Sequence, residues 1–170
     1  ARLSASGRWA AVADSSRRRA DYHFELDIDD SGALLDRLGT PGAVRGGQGR
    51  IDGDLAWLGS PLALDPPSLD GRIHVAIDQG QFLQVQPGAA RLLSVLSLQS
   101  LGRRLSGDFR DLFQQGFAFD TLIGDVSIAS GVAQTDNLRM SGSQAVVAMA
   151  GQADIARETQ DLRVVVVPQL

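Results

Sequence analysis

The ten residues Ala20-Asp21-Tyr22-His23-Phe24-Glu25-Leu26-Asp27-Ile28-Asp29 alternate between apolar and polar side chains without a break. A β-strand turns successive side chains to opposite faces, so Tyr22, Phe24, Leu26 and Ile28 share one face. Asp21, His23, Glu25 and Asp27 share the other, which makes a strand with one dry and one wet side. The pattern returns at 50–58, where Ile51, Leu55 and Trp57 oppose Asp52 and Asp54. It returns again at 69–78, where Leu69, Ile73, Val75 and Ile77 oppose Asp70, Arg72, His74 and Asp78. Further strands are expected near 3–12, 80–85, 116–120, 122–129, 132–140, 144–150 and 161–167, with glycines at 71, 80, 124, 131, 142 and 151 marking turns or bulges. Gly71-Arg72-Ile73-His74-Val75 and Gly124-Asp125-Val126-Ser127-Ile128 share a pattern suited to stacked hairpins.

The inventory agrees with a helix-poor chain. Of the 20 acids, 18 are Asp and only Glu25 and Glu158 are Glu; there are 19 Gly and no Lys. Asp and Gly favour turns over helices. Two segments break the alternation. Residues 31–38 read as a short helix that Asp30 or Ser31 can cap and that Gly39 and Pro41 can end. Residues 87–105 read as a longer one: Pro87 suits a first turn, and Leu92, Val95, Leu96 and Leu98 recur at helical spacing. Pro66-Pro67 and Gly46-Gly47-Gln48-Gly49 read as loops. At 170 residues, one β-rich domain spanning 1–170 is expected. Its opening strand-like Ala1-Arg2-Leu3 is read as belonging to a piece of a longer protein.

The same inventory narrows the chemistry. Without cysteine or lysine, thiolate metal sites, cysteine nucleophiles and Schiff-base chemistry drop out. A net charge of −4 argues against nucleic acid. Asp27-Ile28-Asp29-Asp30-Ser31-Gly32 resembles the start of a calcium loop, but its twelfth position is Leu38, where a bidentate Glu is needed. A helix cap accounts for the same residues. His23 and His74 fall on polar strand faces beside carboxylates, with no nucleophile elbow or zinc motif near them. No catalytic residue, metal or cofactor is therefore assigned.

What remains is the apolar side. Tyr22, Phe24, Leu26, Leu55, Trp57, Leu69, Ile73, Val75, Ile77, Val126 and Ile128 are the candidates to line it. They fit an ordinary closed core or an open trough for acyl chains, and periodicity alone does not separate the two.

A series of ordered blocks adds to this. Gly49-Arg50-Ile51-Asp52-Gly53-Asp54-Leu55-Ala56-Trp57-Leu58-Gly59-Ser60-Pro61 is followed by Leu69-Asp70-Gly71 and Pro87-Gly88-Ala89-Ala90-Arg91-Leu92-Leu93. Leu98-Gln99-Ser100-Leu101, Asp108-Phe109-Arg110-Asp111-Leu112-Phe113, Gly116-Phe117-Ala118-Phe119-Asp120, Thr135-Asp136-Asn137-Leu138 and the closing Asp161-Leu162-Arg163-Val164-Val165-Val166-Val167-Pro168 come after. The series resembles the C-terminal region of YhdP-type AsmA-like proteins of Gram-negative bacteria, most densely over 46–168. Gly102 before Arg103-Arg104, where Pro is usual, and Gly107, where Leu is usual, depart from the pattern.

The resemblance implies the periplasmic portion of a protein anchored in the inner membrane, with membrane contact through segments outside this chain. It implies a non-enzymatic β-groove (a curved antiparallel sheet folded as a taco or partial barrel, with one or two helices) that carries phospholipid toward the outer membrane. The 87–105 helix, with Leu92, Val95, Leu96 and Leu98 as lid candidates, is open to four roles: a lid, a plug, a membrane-facing element or plain core packing. An interaction module that docks an envelope protein through its open sheet edges is the alternative.

Overall fold

The computed structural model describes residues 1–39, 41–83 and 116–169. Eight strands form a single meander in which each pairs antiparallel with the next: β1 (Arg2–Ala11), β2 (Arg18–Ile28), β3 (Val44–Leu58), β4 (Asp70–Phe82), β5 (Phe117–Ala129), β6 (Val132–Ser141), β7 (Ala145–Asp154) and β8 (Thr159–Pro168). The sheet is curved and does not close. Among the described residues β1 and β8 each have one partner strand, so two edges are open. The mainly β expectation holds; among the described residues there are one short helix, α1 (Ser31–Arg37), and a 3-10 turn at Pro66–Ser68. The segment 87–105, with Leu92, Val95, Leu96 and Leu98, lies outside the described residues.

The helix start follows its sequence signal. Asp30 is extended (φ −153°, ψ 108°) and its side chain accepts a hydrogen bond from Ala33 N at 3.0 Å. That removes one of the unpaired N–H groups of the first turn. The carboxylates that resembled a calcium loop are thereby engaged separately. Asp27 pairs with Arg50 and Arg2, while Asp30 caps the helix.

The structure corrects three sequence readings. Gly46-Gly47-Gln48-Gly49 is no loop but the first half of β3. Glycine is required there because α1 docks on it: Ser31 Oγ donates to Gly47 O at 2.9 Å, and a Cβ on Gly47 would lie 2.7 Å from that hydroxyl. The segments expected at 69–78 and 80–85 are one strand, β4, which continues through Gln79 at φ 56°. Those expected at 116–120 and 122–129 are likewise one strand, β5.

Register sets the two faces. Across the middle of the sheet Phe24 faces Gly53, Gly53 faces Ile73 and Ile73 faces Val126. Two buried clusters sit on this apolar side. One contains Ile28, Ile77, Phe117, Phe119, Met140, Ala145 and Val147. The other contains Ala20, Trp57, Leu69 and Ile128, with Tyr22 stacked on Trp57 at 5.3 Å between ring centroids. Several large side chains lie opposite glycine. Phe119 covers Gly80, Tyr22 covers Gly7 and Leu55 covers Gly71, so that a Cβ on any of these glycines would run into the ring or methyl group above it.

Candidate functional site

The eleven apolar candidates are brought to one side of the sheet, in unequal environments. Trp57, Leu69, Ile77 and Ile128 are buried. Tyr22, Leu55, Ile73 and Val126 pack half-buried against the second cluster, and Leu26 and Val75 against the first. Phe24 is half-buried between them and belongs to neither. Beyond β5 the same side continues through Leu122, Met140, Val147 and Val166, which face one another in register across β5, β6, β7 and β8. At the other edge it continues through Leu3, opposite Leu26, and Trp9, opposite Ala20. An apolar surface thus runs from one open edge to the other, about 34 Å at the usual spacing of paired strands. Sequence reasoning missed Leu122, Met140, Val147 and Val166. Leu122, Val147 and Val166 stand beside other apolar residues (Ile123, Val146, Val165 and Val167), which blurs the alternation, and their place beside the other candidates follows only from the register.

The opposite side is polar and laced with cross-strand pairs. Arg2, Asp27 and Arg50 stand in a row, with Arg50 Nε 2.8 Å from Asp27 and Arg50 Nη1 3.6 Å from Glu25. His23 Nδ1 lies 3.0 Å from Asp54, and His74 Nδ1 lies 2.7 Å from Asp125. Asn137 Nδ2 donates to the other Asp125 oxygen at 2.8 Å. Two open depressions of about 620 and 610 Å³ lie over this side. The first is lined by Asp52, Asp54, Arg72, His74 and Asp125 among others, the second by Arg8, Arg19, Asp21, His23 and Asp70 among others. Among the described residues no three His, Cys, Asp or Glu side chains group as a metal site would need. The hydrogen bond from Arg50 holds the Asp27 carboxyl below its ordinary range. The bonds from His74 and then Asn137 do the same for Asp125.

The hydrogen bond to Asp54 raises His23 above its ordinary 6.5. A raised pKa means that the folded chain holds the proton more tightly than the unfolded chain. The contribution of this pair is therefore fully present below 6.5 and is lost as pH rises through the raised value. Replacing Asp54 with Asn is expected to move the His23 titration, followed by the NMR shift of its ring protons, back toward 6.5. An unmoved titration would show that Asp54 does not hold the ring in solution.

These features are strand geometry and surface charge. The model of the YhdP protein family matches residues 1–170. The chain belongs to the YhdP family. It is 32% identical over 170 residues to the intermembrane phospholipid transporter YhdP of Escherichia coli (strain K12), covering 99% of this chain. It spans 13% of that relative's length. No solved structure matches the chain. Among the described residues, no helix of this YhdP-family chain is long and apolar enough to cross a membrane.

Proposed function

We propose that the apolar side of the sheet receives the acyl chains of phospholipid and forms one stretch of a longer path between two membranes. The observation that carries this is the continuity of that side from β1 to β8, with Phe24, Ile73, Val75 and Val126 only half-buried along it. A closed core of this size would bury such side chains more fully. Each CH₂ taken out of water is worth about 0.8 kcal/mol, so ten of them supply about 8 kcal/mol before ordering costs. Transfer is then an exchange of buried surface, and no covalent step is needed. The named activity of the E. coli relative supports the substrate class. In this reading the chain is a C-terminal, periplasmic unit of an envelope protein whose anchor lies elsewhere.

A second reading is favoured by β8, whose open edge carries valines on both faces from Val164 to Val167, with Val165 and Val167 about half exposed. Such an edge can add a strand from a partner protein of the envelope.

Native mass spectrometry of the purified chain separates the two. Carriage predicts adducts of phospholipid mass that survive gentle desolvation. A uniformly bare chain, together with the mass of a bound protein, would favour the edge-docking reading.

A further inference from the structure

The connection between β3 and β4 behaves unlike a solvent loop. Leu62 is 95% exposed and Leu64 is 51% exposed, yet the backbone that carries them is held firmly. Trp9 Nε1 donates to Gly59 O and Trp57 Nε1 to Ser60 O, both at 2.8 Å. Ser60 Oγ accepts from Leu62 N, and Ser60 O accepts from Ala63 N. Ser68 Oγ accepts from Leu58 N at 2.9 Å and bonds the Asp65 carboxylate, which closes the far end of the loop. Two indoles and two serines thus fix a turn that leaves Leu62 almost fully and Leu64 about half exposed. Fixing the backbone of a surface loop costs conformational entropy, so an ordered turn that displays leucine to water calls for a partner.

The surroundings define that partner's chemistry. Beside the loop is an open cavity of about 340 Å³ lined by Trp9, Ser16, Arg17, Arg18, Gly59 and Asp65, among others. Arg18 stacks over the Trp9 ring at 4.0 Å and donates to Trp9 O, leaving its guanidinium at the rim. Among the described residues neither Arg17 nor Arg18 is in an ion pair. Guanidiniums and a carboxylate side by side match a headgroup that carries a phosphate and an ammonium. Exposed leucines beyond an indole match the acyl boundary below it, since aromatic rings and arginines settle at the headgroup level while aliphatic side chains go deeper. The loop is also tied by its two indole bonds to the apolar side, through Trp57 and its stacked neighbour Tyr22.

We infer that the 59–65 loop, with Trp9, Arg17 and Arg18, docks this end of the sheet on the surface of a phospholipid bilayer. Leu62 and Leu64 enter the acyl boundary, and the arginines take the phosphates. This contact lies within the chain and does not depend on the apolar side carrying lipid.

The test is flotation of the full chain with vesicles of phosphatidylethanolamine and phosphatidylglycerol, and, in a second arm, competition by soluble glycerophosphoethanolamine. The wild-type chain should float and the soluble headgroup should not displace it. The double variant Leu62→Ser, Leu64→Ser should lose roughly tenfold or more in partitioning. Arg17→Ser should lose several-fold and flatten the salt dependence. Leu38→Ser, which alters a 70% exposed leucine at the opposite end of the sheet, should float as the wild type does. Thermal melts of the variants should match the wild type, because the altered side chains are exposed. A wild-type chain that stays unbound overturns the inference, as does a double variant that floats unchanged. Displacement by the soluble headgroup would mean a headgroup pocket instead of a bilayer contact. Mass spectrometry of the double variant keeps the two proposals apart. A retained lipid load with lost flotation supports both. A chain bare in wild type and variant alike, with flotation lost only in the variant, leaves docking standing and removes carriage.

Discussion

Phe117→Ala is expected to destabilise the chain by about 3–5 kcal/mol, because truncating a large buried ring loses both its transfer free energy and the packing around the hole. Phe117 is 0% exposed. It opens β5 opposite Phe82 and belongs to the cluster built by Phe119, Met140 and Val147. Urea denaturation should show a lower midpoint with an unchanged slope. Val75→Asn, on the same side of the sheet, should behave differently. Val75 is half-buried at the margin of that cluster. On an open face its amide reaches water, so the cost should stay under about 1 kcal/mol while lipid load falls. In a closed core the unpaired amide would cost about 1–3 kcal/mol. Arg72→Ala, exposed on the polar side, should change neither property. Loss of the fold in Val75→Asn would make this part of the sheet an ordinary core.

The contrast between those two residues also shows what the sequence could and could not reveal. Period-two alternation identifies β2 and the outward faces of His23 and His74, because side-chain direction along a strand is local. Asp30 as a helix cap is equally local. The length of β3 was not legible, because the glycines that extend it toward Val44 have no side chains to alternate. Their role as a seat for Ser31 exists only once α1 is docked. Whether an apolar residue is deeply buried, as Ile77 is, or half-buried, as Val75 two positions away is, depends on neighbours from β3 and β5 that only the register supplies. The same holds for the 59–65 loop. Pro61 and Gly59 announce a turn, but Trp9 and Trp57 become its anchors only because β2 places Ala20 between them.

Phospholipid is expected to lie against the apolar side of the sheet and not the polar side. Site-specific photo-cross-linking reads this directly. A photoreactive phenylalanine placed at Phe24 keeps an aromatic ring on the apolar side, in a position bound to neither buried cluster. The same group placed at Arg72 projects from the exposed polar side. After irradiation in the presence of phospholipid, the Phe24 position should give lipid-linked protein and the Arg72 position none above background. Equal labelling at both positions, or labelling at Arg72 alone, would contradict carriage of lipid along this face.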